Sequence, residues 1–109
     1  MLVVTRFRVP ADDLGAVDGF RADLTAAHAT LAAQRGYVDG WIGRNLDDPD
    51  LWTLTTRWQH VGAYRRALST YDAKLTAVPV LGRAVDEPSA YEVVEPTGVL
   101  NRSEPRETG

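Results

Sequence analysis

Hydrophobic positions along this chain switch between a period of about two and a period of three to four, and the switches mark out six elements. Leu2 to Val9 predicts a first strand, stopped by Pro10. From there the period lengthens. Leu14, Val17, Phe20, Leu24, His28 and Leu31 recur at steps of three or four and make one face of a helix. Asp12 or Asp13 can cap this helix by accepting a hydrogen bond from its first turn, and Gly36 is a common helix-stop residue.

Alternation then returns in Tyr37 to Ile42 and again in Leu51 to Trp58, with the turn formers Asn45 to Asp50 between them. This predicts an antiparallel hairpin. Val61, Tyr64, Leu68, Tyr71, Leu75 and Val78 step by three and four through a second helical region, closed by Pro79 and Gly82. Gly62, Ser69 and Thr70 leave open whether it is one helix or two. Tyr91 to Glu95 predicts a last strand. The order strand, helix, strand, strand, helix, strand is the βαββαβ unit of ferredoxin-like α+β folds with an antiparallel sheet. One domain over residues 1–95 and a flexible tail over 96–109 follow, with Val99 and Leu100 as the tail residues able to dock on a neighbour.

Both faces of the predicted strands carry large apolar groups. Leu2 and Val4 alternate with Val3, Phe7 and Val9, and Tyr37 and Trp41 alternate with Val38 and Ile42. Two helices cover one sheet face, so the other is expected to meet a second copy in a homodimer. The length of 109 residues suits one small domain. A net charge of -3 with scattered Lys and Arg gives no footprint for nucleic acid. The absence of cysteine excludes disulfides and thiolate metal sites, and no apolar run is long enough to span a bilayer. A cytoplasmic protein that binds neither nucleic acid nor membrane is the simplest reading.

The long first helix ending in Gly, the hairpin Arg44-Asn45-Leu46-Asp47-Asp48-Pro49-Asp50, the strand ending in Trp58 and the Ala63-Tyr64 pair on the next helix together resemble the antibiotic biosynthesis monooxygenase family. The resemblance covers Leu2 to Glu95. It implies a dimeric α+β barrel made of two ferredoxin-like sheets. It also implies cofactor-independent oxidation of an electron-rich aromatic molecule, a phenol, anthrone or quinol, which once deprotonated gives an electron to dioxygen. In that pattern a strand-ending Trp and a Tyr six residues later line the site, positions held here by Trp58 and Tyr64. Leu54 stands where the pattern has Asn, and Arg83 or Lys74 stands in for a helical Arg. The family's haem-degrading branch uses Asn on the first strand and Trp and His on the second helix, none of which occurs here.

Each candidate carries a chemical and a packing reading. Trp58 can stack on a flat ligand or fill the core at a strand end. Tyr64 can donate to a substrate oxygen or simply pack. His28, on the apolar face of the first helix, can take a proton from a phenol near neutrality or bond to a backbone carbonyl in the core. Arg83, or Lys74, would stabilise the substrate anion. Trp41, Trp52 and Tyr71 are candidate cavity walls, with core or dimer interface as their alternative. His60 reads as an exposed capping-region residue. Asp47, Asp48 and Asp50 lack the glycine and terminal glutamate of a calcium loop. No dinucleotide fingerprint or paired-histidine metal motif occurs, so no cofactor is expected. The alternative to an oxygenase is a non-catalytic ligand-binding or structural dimer of the same fold, with haem binding third.

Overall fold

A computed structural model describes residues 1–100. Its antiparallel sheet has the strand order β2-β3-β1-β4, where β1 is Leu2–Arg8, β2 is Tyr37–Arg44, β3 is Leu51–Trp58 and β4 is Ala90–Tyr91. Helix α1 (Leu14–Ala32) joins β1 to β2. Helix α2 (Val61–Leu68), a π-helical stretch (Ala73–Ala77) and α3 (Val78–Leu81) join β3 to β4. This is the ferredoxin-like α+β fold that the hydrophobic pattern predicts.

Period-two alternation sends Val3, Thr5 and Phe7 of β1, and Trp52, Leu54, Thr56 and Trp58 of β3, to the helix side. Helix α1 meets them with Val17, Phe20, Leu24, Ala27 and Leu31. Phe20 lies 5.1 Å from Phe7 and 5.5 Å from Trp52, in the tilted and edge-on contacts that ring quadrupoles favour. Asp13 caps the helix by accepting the Ala16 amide at 3.0 Å. Leu14, at the margin of the buried face, is 74% exposed.

The second helical region departs from its expected stripe. Thr70 accepts the Ala73 amide and donates to the Ala67 carbonyl, which breaks the helix, and the wider π-helical turn then shifts the phase of the residues beyond it. Ala63, Ala67, Ala73, Ala77 and Val80 are buried, with Tyr64 and Leu68 packed beside them. Tyr71 and Leu75 are 75% and 61% exposed.

The last strand is shorter and earlier than the predicted Tyr91 to Glu95. Ala90 pairs with Val3 and Tyr91 with Leu2, and the pairing ends there. Residues 96–100 are exposed. The rest of the expected tail, 101–109, lies outside the described residues.

Strand β2 carries a bulge. Tyr37 pairs with Trp58 and Asp39 with Arg57, leaving Val38 as an extra, exposed residue. Tyr37 therefore joins Ile42 on the helix side, while Trp41 lies on the opposite face, 58% exposed, in a row with Thr55 and Val4. Leu2 and Leu51 share that face with Thr53 and the bidentate Arg57–Asp39 ion pair. No helix among the described residues is long and apolar enough to cross a membrane.

Gly36, which follows α1, has φ +90, and a Cβ built on it would sit 2.4 Å from the Cβ of Ala63. Gly36→Ala is expected to destabilise the fold by roughly 2 kcal/mol or more through backbone strain plus overlap with α2. Urea unfolding checks this, and adding Ala63→Gly should recover the overlap part alone. An unchanged midpoint for Gly36→Ala would remove the argument.

Candidate functional site

Trp58 ends β3 on its helix side and is 2% exposed. Its indole N–H donates to the Thr56 hydroxyl, two residues back on the same face, at 2.8 Å. Because the bulge turns Tyr37 inward, the Tyr37 ring meets the indole edge-on at 5.5 Å. Tyr64, in the first turn of α2, meets the same indole at 5.3 Å. Tyr37 also reaches α1, where its hydroxyl lies 2.7 Å from His28 Nε2. His28, Tyr37, Trp58 and Tyr64 thus form one continuous row beneath the helices.

Room for this row depends on Gly40. A Cβ there would lie 2.7 Å from both the Tyr37 hydroxyl and the Thr55 carbonyl. Any larger residue would displace the phenol from its position.

The row ends at a cavity of about 370 Å³. Its origin is the short β4. The Val4 amide donates to Ser89 at 2.7 Å and the Val85 amide donates to Arg6 at 2.8 Å. Between these two bonds the chain bows away from the edge of β1. Tyr64, Arg6, Asp86, Glu87 and Ser89 supply polar groups to the wall, with Leu81 among its apolar members. Arg6 and Glu87 form an ion pair at 3.2 Å.

Burial pushes the Tyr64 phenol above its ordinary pKa, which favours the protonated form able to donate a hydrogen bond. Burial lowers the pKa of His28, which favours the neutral imidazole. Burial, and secondarily the Asp39 carboxylate, raises that of Tyr37. A neutral ring nitrogen therefore faces a protonated phenol.

Of the residues singled out in the sequence, Trp58 and Tyr64 are in contact, and Tyr64 lines the cavity. Trp58 stands behind Tyr64, outside the cavity lining, and His28 joins the row through Tyr37, also outside it. Arg83 extends to Asp23 at 3.0 Å and lies over the Phe20 ring. Lys74 and Tyr71 are exposed on the helical connection. Leu54 and Trp52 are core residues. Trp52 Nε1 has no hydrogen-bond partner among the described residues, and Arg44 stacks over its ring at 5.4 Å. Trp41 lies on the far face of the sheet. His60 caps α2 by accepting the Ala63 amide at 3.1 Å. In the hairpin turn Asn45 accepts the amides of Asp47 and Asp48, and no cluster of metal-ligating side chains occurs among the described residues.

Sequence reasoning missed Tyr37, Thr56, Arg6, Asp86 and Glu87. Thr56 was recoverable, since it shares Trp58's face at a spacing of two. The carboxylates of the cavity wall were not, because their placement depends on where β4 begins.

A profile described as antibiotic biosynthesis monooxygenase matches residues 1–77. The chain belongs to the antibiotic biosynthesis monooxygenase family. The matched stretch includes Trp58 and Tyr64 and stops before Arg83. Solved structures share the fold. SnoaB, a cofactor-independent oxygenase from Streptomyces nogalater, superposes with a TM-score of 0.63 at 24% identity, covering 76% of this chain and 80% of its own. Rv0793 from Mycobacterium tuberculosis does so with a TM-score of 0.61 at 20% identity, covering 94% and 97%. A conserved protein from Methanosarcina mazei Go1 gives 0.63 at 18%, covering 82% and 84%. No curated protein sequence matches the chain significantly.

The depressed His28 pKa has a consequence for stability. The unfolded imidazole, near 6.5, binds its proton before the folded one does. The neutral ring's contribution is fully present above 6.5 and declines as pH falls through the lower folded value. Urea titrations should show the gap between wild type and His28→Gln narrowing on acidification across this window. A gap that widens would reverse the assigned direction.

Proposed function

We propose that this protein is a cofactor-independent oxygenase acting on an electron-rich aromatic small molecule, a phenol, anthrone or hydroquinone, in the cavity beside β1. The observation that carries this reading is Tyr64: a half-buried, protonated phenol backed by Trp58, on the wall of a cavity sized for a small ligand. Its hydroxyl donates to the substrate oxygen, and the bond strengthens as that oxygen becomes anionic. Family membership, together with the fold shared with the oxygenase SnoaB, supports the same reaction class. For an anthrone, loss of a ring proton gives the carbanion and enolate, which passes an electron to dioxygen. Carbon–oxygen bond formation follows, and the methylene becomes a carbonyl with release of water.

Arg6, paired with Glu87 on the wall, takes the anion-stabilising role expected of Arg83 or Lys74, and Asp86 is the proton acceptor. His28 takes no part in this step, because its Nε2 is engaged by Tyr37 and it stands away from the wall. Two copies assemble through the sheet face carrying Trp41, Val4, Leu2 and Leu51.

The second reading, a non-catalytic binding dimer, draws on Leu54 being a buried core residue and Trp58 having no face open to a ligand. Quinone formation from anthrones or hydroquinones under dioxygen separates the two. Tyr64→Phe should lower turnover about 10- to 100-fold, as expected for one hydrogen bond to a charged oxygen. Asp86→Asn should lower it by about 10²–10⁴-fold. His28→Ala should leave the assayed rate close to that of wild type. Binding without turnover would favour the second reading.

Assembly has its own check. Trp41→Asp should shift sedimentation from dimer toward a 12.0 kDa monomer, and a wild-type monomer at all concentrations would refute the assembly.

A further inference from the structure

We infer that Tyr64, Trp58 and Tyr37 form an electron-transfer chain that moves an oxidising equivalent out of the cavity and leaves it on Tyr37 as a neutral tyrosyl radical bonded to His28. The ring centroids are 5.3 Å apart from Tyr64 to Trp58 and 5.5 Å from Trp58 to Tyr37, so each ring touches the next with no aliphatic group between. Contact of this kind permits rapid electron exchange between aromatic side chains.

Direction is set by the protons. A tyrosine that loses an electron becomes a strong acid and is stabilised only if its phenolic proton has somewhere to go. The Tyr64 hydroxyl has no hydrogen-bond partner among the described residues. Trp58 donates its N–H to the Thr56 hydroxyl, a weak base. Tyr37 alone in the row has an imidazole nitrogen at 2.7 Å. With the ring proton on Nδ1, His28 Nε2 takes the Tyr37 proton along the existing bond as the electron leaves. Tyr37 and His28 are both half-buried, so a soluble reductant can reach the end of the row.

The chemistry balances for a one-electron oxidant of the alkoxyl-radical class reaching the cavity. The alkoxyl radical gains one electron through Tyr64 and Trp58 and leaves as an alcohol after taking a proton from water. Tyr37 loses one electron, and its proton forms the His28 imidazolium. A thiol or ascorbate then returns one electron to Tyr37, the phenolic proton comes back from His28, and the proton given up by the reductant neutralises the hydroxide. The chain would thereby clear stray radicals from an oxygen-using cavity. It rests on the oxygenase reading only for the source of the oxidant.

The test uses an attached oxidant and no substrate, so its failure leaves the oxygenase assignment to the quinone assay. The chain has no cysteine, so Ser89→Cys on the cavity wall can carry one ruthenium–polypyridyl label. Of the four tyrosines, Tyr71→Phe and Tyr91→Phe remove the two outside the row. Flash-quench oxidation of this protein followed by freeze-trapped electron paramagnetic resonance should give a tyrosyl signal. It should disappear in Tyr37→Phe, which loses only a hydroxyl, and in Trp58→Phe, which keeps an aromatic core. His28→Gln, which can still hydrogen-bond but is a poor proton acceptor, should also lose it. Circular dichroism confirms that each variant is folded. Three results would overturn the inference: no tyrosyl signal in the labelled parent, an undiminished signal in Tyr37→Phe, or an equal signal in folded Trp58→Phe.

Discussion

The extra residue at Val38 is the constraint on which the aromatic row depends. Counting back from Asp39 by strict alternation would put Tyr37 on the far face of the sheet with Trp41. The bulge adds one residue and returns Tyr37 to the helix side, opposite Trp58. Only from there can its hydroxyl reach His28 on α1 and its ring reach the indole. Gly40 completes the arrangement, because the space its Cβ would fill holds the Tyr37 hydroxyl on one side and a β3 carbonyl on the other. Gly36 does the same for the approach of the α1–β2 connection to α2. One bulge and two glycines therefore fix where β2, α1 and α2 meet.

The cavity is set at the other edge of the sheet by a matter of register. β4 pairs with β1 only at Ala90–Val3 and Tyr91–Leu2, so most of that edge of β1 is left without a strand partner. The segment before β4 returns from α3, and its backbone bonds to β1 are those of the Val4 and Val85 amides, with the Arg6–Glu87 ion pair between them. Bowing out between those two points leaves the edge of β1 open to the cavity and brings Asp86 and Glu87 to its wall. A polar wall here is physically reasonable, since strand-edge backbone groups need polar or solvated surroundings.

Most of the fold was legible because it rests on period. Leu2 to Arg8, the hairpin and α1 follow from alternation and helical spacing, and Asp13 and Asn45 follow from the hydrogen bonds their short side chains make locally. The stripe through Val61 to Val78 misleads for an identifiable reason. Its large apolar side chains do not mark the buried face, because α2 and the π-helical stretch approach the sheet through alanines, while Tyr71, just past the break at Thr70, and Leu75, within the π turn, are left outward. His28 was legible as facing inward, but its partner was not, because a bulge leaves no periodic trace when Tyr, Val and Trp all suit a strand.

Tyr64 and His28 end up at opposite ends of one row, and the two environments differ in kind. Tyr64 is held protonated by burial at a cavity that contains both signs of charge, where a donor can meet a developing anion. His28 is held neutral by burial against a single phenol, where it can exchange a proton with Tyr37 and nothing else in the row. Trp58 is closed off between them, with its N–H committed to Thr56 and its rings in contact with both tyrosines. A side chain so enclosed cannot stack on a ligand without repacking the core, which at native density costs more than a small aromatic contact returns. Its position suits transmission between Tyr64 and Tyr37 better than recognition, which leaves contact with any ligand in the cavity to the groups on its wall.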